Sequence, residues 1–172
     1  MAHVLLGGVG YRWMRDASFG VIASDALARE IWPAGIGVAD LGYGALYAAL
    51  DILHEQLPYD RLILLAATCR NREAGRLYRT RWSPPPSDDA DVQARIRESG
   101  AGVIDLDHLL IIAHYLRALP SEVICIELEP IDVFGGDGLS DRAASCLADA
   151  LALARADALA PFATDHRDVV RV

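Results

Sequence analysis

Residues 61–68 read RLILLAAT, an apolar run with no polar residue between its first and last positions. A strand with one face in water alternates; this one does not, so it reads as a strand buried on both faces. Such a strand requires helices above and below the sheet, which is the arrangement of parallel α/β domains. The flanking sequence agrees. Strand patterns at 2–8 and 36–40 are followed by helical patterns from about 18 to 32 and from 43 to 57. Residues 75–82, GRLYRTRW, alternate and carry three arginines, which predicts an edge strand with one exposed face, free to run antiparallel. SPPPSDDA then breaks the chain, since three prolines remove backbone donors. A short polar helix (90–99), a helix over 106–118, a strand at 122–128 and a closing helix over 139–158 follow, with Ser140 as its N-cap and a glycine loop at 135–138 before it. The expected fold is a three-layer α/β/α sandwich with a five-stranded, mostly parallel twisted sheet of the phosphorylase/hydrolase-like kind. Residues 1–160 form one domain in this reading, and 161–172 a polar tail.

Composition narrows the partners. A net charge of −8 opposes non-specific binding to nucleic acid or to an anionic membrane surface. No run reaches the ~18 apolar residues of a membrane span, and no basic segment precedes the first apolar stretch. Cys69, Cys125 and Cys146 are odd in number and lack paired spacing, so they read as reduced thiols of a cytoplasmic protein.

Two loops follow the first two strands. One contains Gly7, Gly8 and Gly10; the other is Asp40-Leu41-Gly42-Tyr43-Gly44. Ligands of open α/β sheets bind at the carboxyl ends of strands, which places the candidate site here. A dinucleotide fingerprint fails, because the third glycine it requires falls on Trp13. Asp40 can brace its loop through bonds to nearby amides. Tyr11, Trp13 and Tyr43 supply aromatic surface for an extended peptide, although Trp13 reads first as a packing residue. Asp16 reads either as an acid at the start of the following helix or as a group reaching into the site. Cys69 reads either as a small buried hydrophobe or as a soft ligand.

In order and spacing these segments resemble the hydrogenase maturation proteases, the nickel-sensing endopeptidases that trim the large subunit of [NiFe] hydrogenases. The resemblance is carried by Gly8-Val9-Gly10 with Tyr11 where the family has Asn, and by Asp16, Ala17 and Gly20. It continues through Asp40, Gly42 and Gly44 and the late stretch ICIELEPIDVFGGDGLS. It implies a protein that acts on a precursor already carrying nickel, with no catalytic nucleophile of its own and no tightly bound cofactor. The family's three metal-binding positions fall on Ala17, Ala66 and His108, so the resemblance leaves His108 and neighbouring Asp16 as candidate metal ligands. Tyr11, Asp40, Gly42, Tyr43 and Gly44 become candidate substrate-binding residues. His108 falls off the Leu106, Leu109, Leu110, Ala113, Leu116 stripe of its helix, beside Ile112 and Tyr115; a surface or capping role is the alternative. The expected partner is the C-terminal extension of a [NiFe] hydrogenase large-subunit precursor. The alternative is a non-catalytic relative that binds the large subunit or a maturation factor as a chaperone or scaffold.

Overall fold

A computed structural model describes residues 3–162. Its elements alternate as the hydropathy pattern requires. They are β1 (Val4–Val9), a 3-10 turn (Arg15–Ser18), α1 (Phe19–Leu27), β2 (Ile36–Asp40), α2 (Ala45–Leu53), β3 (Arg61–Ala67), β4 (Leu77–Arg81), α3 (Asp89–Gly100), α4 (Leu106–Tyr115), β5 (Glu122–Leu128) and α5 (Asp141–Leu159). The sheet order is β2-β1-β3-β5-β4. The first four are parallel, and β4 closes one edge antiparallel to β5. The expected tail lies almost wholly outside the described residues.

The unbroken run of β3 is explained by its two faces. Leu62, Leu64 and Ala66 pack under α2 and α4, while Ile63 and Leu65 pack under α1 and α5. Strand β1 divides in the same way, Leu5 to one core and Val4 and Leu6 to the other. Arg79, Thr80 and Arg81 of β4 are exposed, which suits an edge strand. Helix α4 is buried almost all round, because α2 and α3 flank it as the sheet covers its remaining side. Its apolar stripe is therefore wider than the sequence pattern alone indicates.

Helix α5 is fixed at both ends. Its first turn is capped by Ser140, whose hydroxyl accepts from the Ala143 amide. At the other end the buried Arg61 guanidinium donates to the carbonyls of Asp157, Ala160 and Pro161 and pairs with Glu122 at 2.7 Å. A cation on C-terminal carbonyls is favourable to the helix dipole.

The chain crosses from one side of β1 to the other between β2 and β3, so the loops after β1 and β3 diverge. Helix α1 begins close against that divergence, and Gly20 permits it: a Cβ there would stand 2.2 Å from the Leu65 carbonyl oxygen and 2.4 Å from that of Val9. Both obstacles are backbone and cannot rotate away. Gly20→Ala is expected to cost about 2–3 kcal/mol through overpacking, read as a lowered urea midpoint with an unchanged m-value.

Candidate functional site

At the divergence lies a cavity of about 310 Å³. Its apolar lining comes from Val9, Ala17, Ala67, Pro130 and Val133; its polar lining comes from Tyr11, Thr68, Cys69, Arg70 and Asp107. Three loops and one helix start thus meet there: those after β1, β3 and β5, and the first turn of α4.

The loop after β1 is stitched to the loop after β5. Gly10, at φ +150°, lies against the Ala17 carbonyl, which accepts from the Tyr11 amide at 3.2 Å. The Arg15 amide donates to the Gly136 carbonyl and the Gly136 amide to that of Trp13. Trp13 and Arg15 adopt positive φ (57° and 47°), a conformation that side chains disfavour. Asp16 holds the arrangement. Its carboxylate is fully buried and accepts from the amides of Ile131 (2.9 Å), Asp132 (3.1 Å) and Ser140 (2.8 Å) and from the Ser140 hydroxyl (2.9 Å). Burial opposes its charge, but the backbone and hydroxyl donors outweigh that, so its pKa lies below the ordinary 3.8.

A second network fixes the loop after β3. Glu127, buried near the end of β5, accepts from Thr68 Oγ1 (2.7 Å), Arg70 Nε (3.1 Å) and Arg72 Nη2 (2.7 Å). Burial again opposes ionisation, and the Arg70, Thr68 and Arg72 bonds again prevail, holding Glu127 below its usual range. Glu129 accepts the Arg70 and Asn71 amides and Arg72 Nε. Arg70 then reaches the cavity, where its two Nη atoms each stand 2.7 Å from an oxygen of Asp107. That fork raises the Arg70 pKa further above its already high value.

Several expectations change. His108 does not line the cavity. Its ring is buried, with Nε2 2.7 Å from Glu98 Oε2; Nδ1 lies 2.7 Å from Asp105 Oδ2 without hydrogen-bond alignment. The reason is helical phase: Asp105 is the N-cap of α4, its carboxylate taking the His108 amide, and this turn presents Asp107 to the cavity instead. Asp16 faces the start of α5, so the structure does not bring it together with His108. Of the two neighbouring alanines of β3, Ala67 lines the cavity and Ala66 is in the core under α2 and α4. Cys69 is exposed rather than buried, and Trp13 is exposed rather than packed.

The second glycine loop stands beside the cavity without lining it. Asp40 braces it, taking the Gly42 amide at 2.7 Å and Arg12 at 2.7 Å. Gly42 packs on the Gly10 carbonyl, and Gly44 leads into α2 at φ +136°. The Tyr43 hydroxyl donates to Asp51 at 2.5 Å. Tyr11 does line the cavity, and its hydroxyl is held between the Gly102 carbonyl (3.2 Å) and the Ile104 amide (2.8 Å). Arg70 and Asp107 are site residues that the sequence pattern does not single out. The available signals are a basic residue just past the buried strand and an acid two residues after a helix N-cap.

Among the described residues, no three His, Cys, Asp or Glu side chains are grouped to hold a metal ion, and no helix is long and apolar enough to cross a membrane. No protein-family model and no curated protein sequence matches the chain. Solved structures do. The chain is similar to the hydrogenase 2 maturation peptidase from a Thaumarchaeota archaeon (26% identity, TM-score 0.62, 91% of this chain and 97% of that one). It is also similar to the hydrogenase maturating endopeptidase HybD from E. coli (21%, 0.67, 90% and 91%). A third similarity is to the [NiFe] hydrogenase maturation protease HybD from Thermococcus kodakarensis (18%, 0.62, 91% and 99%).

The Asp16 clamp has a measurable pH signature. A carboxylate with a lowered folded-state pKa contributes stability above its unfolded value, and that contribution is lost as pH falls through the folded one. Unfolding free energy should therefore decline below about pH 4, where Asp16 and Glu127 begin to protonate on unfolding. Asp16→Asn, which turns one acceptor into a donor facing N–H or O–H groups, should cost about 2–3 kcal/mol at neutral pH. The same variant should flatten the acid slope, both effects being read from urea melts across pH.

Proposed function

We propose, from its similarity in fold to solved hydrogenase maturation proteases, that the chain belongs to that family and engages the C-terminal extension of a [NiFe] hydrogenase large-subunit precursor during maturation. The carrying observation is the position of the cavity. It sits at the divergence of β1 and β3, lined from both sides by the loops that the glycine and strand motifs lead into. Its lining is largely apolar with a charged mouth, suited to a peptide segment with side chains to bury and backbone to orient. Trp13, Ile131 and Phe134 are exposed on the two stitched loops and extend the apolar surface available to a protein partner.

The first reading of the activity is endoproteolysis of that extension in the cytoplasm. A second reading, binding without cleavage, is favoured by the cavity's side chains. Ala17 and Ala67 supply methyl groups only, and Asp107 is already committed to Arg70. Thr68 is committed to Glu127, whose carboxylate Arg70 and Arg72 also occupy, and the His108 ring is shut between Glu98 and Asp105.

One experiment separates the two. Purified chain is incubated with nickel-loaded large-subunit precursor, and intact mass and size-exclusion chromatography are recorded. Loss of the extension establishes the protease. A stable complex with the extension intact establishes the binding protein. If neither appears, the partner assignment is discarded.

A further inference from the structure

The family resemblance implies recognition of a divalent cation, and the donor set of this cavity does not fit one. Ala17 and Ala67 offer no lone pair. Both Asp107 oxygens are taken by Arg70 at 2.7 Å, and Glu127 behind them accepts from three side chains. One Asp105 oxygen is spent as the cap of α4 and the other lies 2.7 Å from His108 Nδ1, and the Tyr11 hydroxyl is engaged on both sides by backbone. What remains is the Cys69 thiol and one oxygen of Asp105, too few donors for a divalent site. The disagreement is one of substance, because the charge that a metal would supply is already present as a guanidinium.

We infer that Arg70 is the resident cation of this site, and that the protein therefore engages its peptide without a divalent metal and does not distinguish nickel-loaded from nickel-free precursor. The first half stands on the geometry; the second rests also on the reading of the partner given above. A divalent ion approaching Asp107 must either sit beside Arg70, against like charge, or expel it. Expulsion breaks a two-point fork and takes one of its partners from Glu127, a buried carboxylate that depends on them. The arginine is also aimed by its own backbone, since Glu129 accepts the Arg70 and Asn71 amides and holds Asn71 at φ 59°. Arg70 is thus a positioned group, locked from behind and forked in front, rather than a flexible surface cation. Selectivity for nickel has no complete set of ligands to act through among the described residues.

Two titrations test this on the native chain. In the first, NiCl₂ is titrated into the protein in a calorimeter. No stoichiometric binding is expected up to about 1 mM, and a saturable one-to-one site below that concentration overturns the inference. In the second, nickel-free and nickel-loaded large-subunit precursor are each titrated against the chain. Dissociation constants within about threefold are expected, and a preference of about tenfold or more for the loaded form overturns it. Should neither precursor bind, the partner assignment fails, while the nickel titration still decides whether Arg70 is the resident cation. Arg70→Met adds a positive readout, with circular dichroism as the check on folding. Freeing Asp107 and Glu127 should raise nickel affinity by about tenfold or more, and Arg70→Met with Asp107→Asn should abolish the gain. A folded Arg70→Met variant with no gain overturns the inference; if it does not fold, the two native titrations decide the matter.

Discussion

Four donors from one distant segment converge on the Asp16 carboxylate, and the loops that follow β1 and β5, on either side of β3, are held together by that convergence. The loop after β1 and the loop after β5 cannot part without leaving an anion buried and unpaired, a penalty of several kcal/mol. Because they stay together, Tyr11 and Val133 stand on the same cavity, and α5 begins where its cap can form. The strained φ values of Trp13 and Arg15 are tolerated for the same reason: the flanking backbone is pinned on both sides.

A pair of buried anions fixes the loop after β3. Glu127 and Glu129 end β5 side by side, and such neighbours repel unless cations separate them. Arg70 and Arg72 fill that need and draw the loop after β3 across the sheet. Arg72 is held further by its position over the Tyr78 ring, 4.0 Å from the centroid. The cavity's charge is therefore a by-product of neutralising the strand end. One fork of Arg70 serves the core, the other faces the ligand space. A change at either carboxylate would be felt in both places.

The layers were legible because burial on two faces leaves a signature in a strand, and β3 carries it without interruption. The edge position of β4 was legible from its arginines for the converse reason. The position of the cavity was legible at the strand ends, and its lining was not. Which of Ala66 or Ala67, and which of Asp107 or His108, turns to the cavity depends on one step of strand or helical phase. That phase is set by where the last pair forms and by the Asp105 cap. Asp16 illustrates a different limit. Its partners lie 115 to 124 residues away, and nothing local distinguishes a carboxylate that will clamp a remote loop from one that will face solvent. Cys69 and Trp13 depart from expectation because residue type states an average burial, whereas loops that converge on a cavity hold their side chains where the convergence puts them.

Arg61 has a consequence for the order in which the molecule can be completed. It enters the core at the start of β3, yet the carbonyls that solvate its charge belong to residues 157–161. During synthesis the sheet's central strand therefore emerges long before the groups that make its first residue tolerable in the interior. Until α5 arrives, that end of β3 has reason to stay wet, and the face that carries Ile63 and Leu65 has α1 alone to cover it. A nascent chain of this kind depends on its last helix to close one side of its core, and it is exposed to premature association until then.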